Sequence, residues 1–134
     1  MSAELVIKSL LEAAAGVTAL VSSRLYSGAR PEGDALPAIV WQEIDDGPRS
    51  PIDITAGSEP CTGRIQVNCL ATTSAGVKAL KDAVVAACHK KSGTIGGIAV
   101  TSCLQPDGGA GPRIYDALVD TYQQPVDFIV HYVR

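Results

Sequence analysis

Aromatic side chains make up only 4% of this 134-residue chain, so the core must be packed mainly from Val, Ile, Leu and Ala. Long apolar runs are missing too. No stretch approaches the roughly 20 apolar residues of a membrane-spanning helix, and the opening MSAELVIKSLLEAAAG is too charged for a signal peptide. Clustered basic residues are scarce: the net charge is −3 with a pI near 5.2, which leaves no electrostatic footprint for nucleic acid. The one compact basic run, His89-Lys90-Lys91, closes a helix signal, where cations suit the negative end of the helix dipole. The four cysteines, Cys61, Cys69, Cys88 and Cys103, form no Cys-x-x-Cys pair. Buried reduced thiols are expected, not disulfides or zinc ligands, because a free cysteine packs as a small hydrophobe.

Signatures of catalysis are equally absent. No serine sits in a Gly-x-Ser-x-Gly elbow, and the histidines, His89 and His131, fall at a helix end and inside a strand. Gly93-x-x-Gly96-Gly97 lacks the Lys-Ser/Thr of a phosphate-binding loop and runs into a strand. Asp107-Gly-Gly-Ala-Gly-Pro lacks both the dinucleotide-binding spacing and the helix that should follow it. Asp45, Asp46, Asp53 and Glu59 cluster without other ligands at a metal-binding spacing, so a solvated loop is expected there. These absences argue against an enzyme and leave no cofactor or metal to assign.

What the chain does contain is a hydrophobic fraction of 46% in a length that suits one domain over residues 1–134, able to bury roughly two thirds of its unfolded surface. Its organising stretch is Thr62–Cys88. Ile65, Val67 and Cys69 alternate with Arg64, Gln66 and Asn68, the period of a half-buried strand. From Val77 the period changes. Val77, Leu80, Val84 and Cys88 form a helical stripe, and Thr72, Thr73 and Ser74 offer capping hydroxyls before it.

Ahead of this unit, residues 2–15 read as a helix capped by Ser2, with Val6, Leu10 and Ala14 on one face, Leu11 beside it, and Gly16 as the stop. A short turn over Val17–Val21 and a turn-rich stretch, Ser27–Pro37, lead to a strand over residues 38–44. A long loop, Asp45–Cys61, follows. After the helix come a strand over residues 98–104 with Ile98, Val100 and Leu104 inward, a second long loop over Gln105–Asp120, and a last strand over Thr121–Arg134. In that strand Val126, Phe128, Val130 and Tyr132 share a face.

The order implies an α+β two-layer sandwich: a four-stranded, mainly antiparallel sheet with two helices on one face and two long loops. Loops of that length in a compact domain are usually working loops or disordered ones. The polar strand face bearing Arg64, Gln66 and Asn68 meets either water or a neighbouring subunit.

The chain also resembles the tail-terminator or tail-completion proteins of long-tailed bacteriophages and prophages. The residues that carry the likeness are the Leu-rich first helix, Arg24-Leu25-Tyr26, Leu36-Pro37-Ala38-Ile39-Val40, Val67-Asn68-Cys69-Leu70-Ala71, the helix Ala75–Cys88, and a closing strand ending at Tyr132. The resemblance implies a non-enzymatic protein that forms a homo-oligomeric ring, of six subunits, in the host cytoplasm and then resides in the virion tail. Such a ring caps the tail tube, stops its polymerisation and offers its other side to the head–tail connector. On this reading the loop charges Arg49, Asp53, Arg113 and Asp116, with Arg64, Gln66 and Asn68, mark contacts. Two other classes stay open: a small regulatory metabolite-binding domain, and a hydrolase or redox enzyme using Cys61, the thiol in the least apolar setting.

Overall fold

A computed structural model describes residues 3–22, 24–28, 36–48, 60–106, 108–117 and 120–133. Among the described residues three helices and seven strands follow one another as α1 (Ala3–Ala13), α2 (Ala15–Val21), β1 (Leu25–Ser27), β2 (Ala38–Pro48), β3 (Pro60–Ala71), α3 (Ser74–Cys88), β4 (Lys91–Ile95), β5 (Ile98–Leu104), β6 (Ile114–Asp116) and β7 (Thr121–Val133). The strands build one sheet in the order β1-β2-β3-β7-β5-β4, with β6 also on β7. β1 runs parallel to β2 and every other pair is antiparallel, so the sheet is mixed. The α+β class expected from the sequence holds. The expected four strands and two helices are too few.

The strand–helix unit that organises the sequence organises the fold. β3 is paired along its whole length, on one side to β2 and on the other to β7. Its inward set, Cys61, Gly63, Ile65, Val67, Cys69 and Ala71, is buried without exception. Thr73 caps α3, its Oγ1 accepting from the Gly76 N–H at 3.0 Å. The α3 stripe of Val77, Leu80, Val84, Ala87 and Cys88 then packs on the sheet. Val126, Phe128, Val130 and Tyr132 of β7 complete the floor of the core as the alternation predicts. Each such side chain contributes roughly 1.5–3 kcal/mol of burial, so this one floor holds much of the hydrophobic driving force.

Three expectations about helices and faces change. α1 buries Ala3, Val6, Ile7 and Leu11, whereas Leu10 and Ala14 are only partly covered, a rotation of the expected stripe. Gly16 does not stop the helix. The break falls at Ala14, whose backbone is extended (φ −85°, ψ 112°), and α2 runs through Gly16 with Ala14 as its N-cap residue. On β5, Cys103 is buried and Leu104 is 40% exposed, the reverse of the expected phase. A bulge between Val100 and Ser102 supplies the reason, because one extra residue against β7 moves every later side chain to the opposite face.

The long loops also shrink. β2 continues through Asp45, Asp46 and Gly47 to Pro48, paired to β3 as far as Pro48 opposite Cys61, with a bulge at Ile44 between Glu43 and Asp45. In the second loop, Ala110 bridges Val126 and β6 pairs Ile114–Asp116 with residues 121–123 of β7. β5 and β6 therefore lie in tandem along one edge of β7. Gly96 and Gly97, at φ +59° and +80°, make the two-residue turn between β4 and β5, where both positions need a left-handed backbone.

Candidate functional site: the uncovered sheet face and its edges

All three helices pack on one side of the sheet, against Ile39, Trp41, Ile65, Val67, Phe128 and their neighbours. The alternation places Arg64, Gln66 and Asn68 on the opposite side, half-buried, with none of the described helices over them. They do not stand alone. The Arg64 guanidinium donates to Asp127 Oδ2 from Nη2 (2.5 Å) and Nε (3.1 Å), Gln42 Nε2 donates to Gln66 Oε1 (3.2 Å), and Thr62 Oγ1 lies 3.0 Å from His131 Nδ1. The polar groups of this face are thus stitched across β2, β3 and β7. The Arg64 side chain is 43% exposed, so its ion pair contributes at most about 1 kcal/mol and mainly fixes where the charges stand.

Around that pair lies apolar surface. Leu70, Pro125, Ile129 and Val133 are partly exposed on the same face, and the register adds Leu104 opposite Ile129 and Ile114 opposite Gln123, 40% and 47% exposed. Six partly exposed apolar side chains thus share this face with one compensated ion pair. Among the described residues no group of three His, Cys, Asp or Glu is placed to hold a metal ion.

The remaining predicted positions divide. Arg113 precedes β6 and donates from Nη1 to Ser74 Oγ at 2.8 Å, tying the second loop to the first turn of α3. Asp116 ends β6, opposite Thr121. Arg49 and Asp53 lie outside the described residues, as does the Ser2 cap. Cys61, set apart in the sequence as the least apolar thiol, is fully buried in the core at the start of β3. Its position before the strand signal had hidden that β3 begins at Pro60.

Two acidic corners were not foreseen as strand features. Asp46 accepts from the Ala3 N–H (3.2 Å) and from the Tyr132 hydroxyl, joining β2 to α1 and β7. Glu4 accepts from Trp41 Nε1 (2.9 Å) and from Ser27 Oγ, beside a cleft of about 390 Å³ lined by Glu4, Leu5, Lys8, Leu25, Ser27 and Trp41. Nearby, the Glu43 carboxyl is held above its ordinary range, first by desolvation and then by the charges of Asp46, Glu4 and Asp45. Lys90 and Lys91 lie just past the helix they were expected to close: α3 ends at Cys88, Lys90 turns left-handed (φ +61°), and Lys91 starts β4.

Comparison with known proteins gives this surface its context. The family model of the tail completion protein gp17 matches residues 6–130. The chain belongs to that family. Membership makes it a structural component of a phage or phage-like tail, as the resemblance implied. Seventeen chains among the solved structures match its fold. One, from the virion of a native gene transfer agent particle, superposes with a TM-score of 0.72 over 99% of this chain and 96% of that chain at 15% sequence identity. No curated protein sequence matches significantly. Among the described residues of this tail-completion protein, no helix is long and apolar enough to cross a membrane.

Proposed function

We propose that this tail-completion protein assembles into a homo-oligomeric ring, of six subunits, that caps the finished tail tube. The ring ends tube polymerisation and presents its far side to the head–tail connector. The observation that carries the reading is the family match over residues 6–130. Support from the geometry is the sheet face opposite the helices, where apolar side chains surround the Arg64–Asp127 pair and none of the described helices intervenes. The role is structural, with the major tail tube protein and the connector proteins as partners, first in the host cytoplasm and then in the virion.

Arg49, Asp53, Arg64, Gln66, Asn68, Arg113 and Asp116 are the proposed contact residues. Charges at such surfaces steer and register partners more than they add affinity. Replacing Arg49 and Arg113 together by Glu leaves the subunit folded, as read by circular dichroism, and yields unjoined heads and tails in electron micrographs of lysates. Infectious particles at the unmodified yield would contradict the assignment.

A further inference from the structure

The two outer edges of the sheet carry opposite charge. At one end stands β4, exposed over Lys91–Thr94 and preceded by exposed Lys90, with no carboxylate in its five residues. At the other end β1 covers β2 only opposite Ile39, Val40 and Trp41. From Gln42 onward the outer edge of β2 has no backbone partner among the described residues, and that stretch reads Gln42-Glu43-Ile44-Asp45-Asp46. Among the described residues neither Glu43 and Asp45 on one edge nor Lys90 and Lys91 on the other is held in an ion pair. Ile44, 49% exposed, adds an apolar side chain to the acidic edge.

Unpaired strand edges are sites where another chain adds a strand, and charged side chains on them normally repel such additions. Here the signs differ between the edges. Two β2 edges repel each other, as do two β4 edges, while β2 of one copy attracts β4 of the next. Opposite charge thus selects a head-to-tail contact and penalises the two symmetric ones. A head-to-tail contact that closes on itself makes a ring.

We infer that neighbouring subunits join edge to edge, the Glu43–Asp46 side of β2 in one copy against the Lys90–Thr94 side of β4 in the next. This inference rests on the proposed ring and specifies which surfaces close it. Crowding of Glu43 by its acidic neighbours favours the contact further, because bringing lysines close relieves that repulsion.

Charge exchange tests it. Glu43→Lys with Asp45→Lys makes both edges basic, and Lys90→Glu with Lys91→Glu makes both acidic. All four positions are exposed, so both double variants stay folded, with melting curves as the check. Each alone caps isolated tail tubes with an occupancy lowered by about tenfold or more, read by negative-stain microscopy. An equimolar mixture restores capping, because basic and acidic subunits alternate, and an even-membered ring closes on that alternation. The chain carrying all four exchanges also caps alone. Double variants that cap as well as the unmodified protein, or a mixture that fails to rescue, would overturn the edge pairing and leave the ring standing. Unmodified protein that never caps tubes would overturn both.

Discussion

The sharpest residue-level feature is a group of thiols inside the core. Cys69 on β3, Cys88 at the end of α3 and Cys103 on β5 are all buried, and burial pushes the Cys69 and Cys103 thiols up to about 12 and Cys88 well above its usual value. The folded chain therefore keeps protons that the unfolded chain releases from about pH 9 upward. Stability is unaffected below that range and falls as pH rises from about 9 toward 12, by up to about 1.4 kcal/mol per pH unit for each thiol. Urea midpoints at neutral and alkaline pH measure the slope. Cys69→Ala flattens it, and an unchanged slope in that variant would show that other groups dominate. Periodicity placed Cys69 and Cys88 correctly, through a period of two and through helical steps, whereas Cys103 reaches the core only because the bulge between Val100 and Ser102 shifts the phase of β5. Cys61 was misplaced because a strand beginning at Pro60 has no such pattern on its upstream side. Arg64, Gln66 and Asn68 were legible as one face. Their partners were not, since a pattern of two says which side a residue faces and nothing about whether Asp127 or Gln42 stands beside it.

Among the elements, α3, β3 and β7 were readable because each buries one continuous face, which the sequence writes as periodicity, and β5 was readable as a strand although its bulge shifts the phase after Val100. What escaped was the periphery. β1 and β6 are three residues long, too short to show a period, and exist through pairing with β2 and β7. β4 and the far end of β2 contain Gly93, Gly47 and Pro48, residues that mark turns in isolation and are tolerated on an edge. The joint between elements that depends most on one residue is α1 over β3. A Cβ added at Gly63 would stand 2.3 Å from Ala3 Cβ and 3.3 Å from Asp46 Oδ1, so the start of α1 must move to admit it. Gly63→Ala is expected to cost about 1–3 kcal/mol, measured as a shift in the urea midpoint. Ala3→Gly in the same chain recovers part of that loss. Strict additivity of the two changes would show that the contact is not the cause.

For the whole molecule, the sequence conveyed a two-layer arrangement and a chain without an assignable catalytic site, and the family match turned the order of its elements into a tail-completion role. The proposed contact surface was only half legible in the sequence. Its central residues follow from alternation, but the opposed charges of the two edges emerge only when the topology sets β4 at one end of the sheet and the part of β2 beyond β1 at the other. Helices that cover one face leave the other face and both edges for neighbours, an asymmetry that suits a subunit stacked on a tube and repeated around it. Purified protein mixed with isolated tail tubes and imaged by negative-stain microscopy tests this most directly. Six-fold rings seated at tube ends, with further tube growth halted, are the expected result. Tubes whose ends stay bare, and which go on lengthening when tube subunits are added, would contradict it.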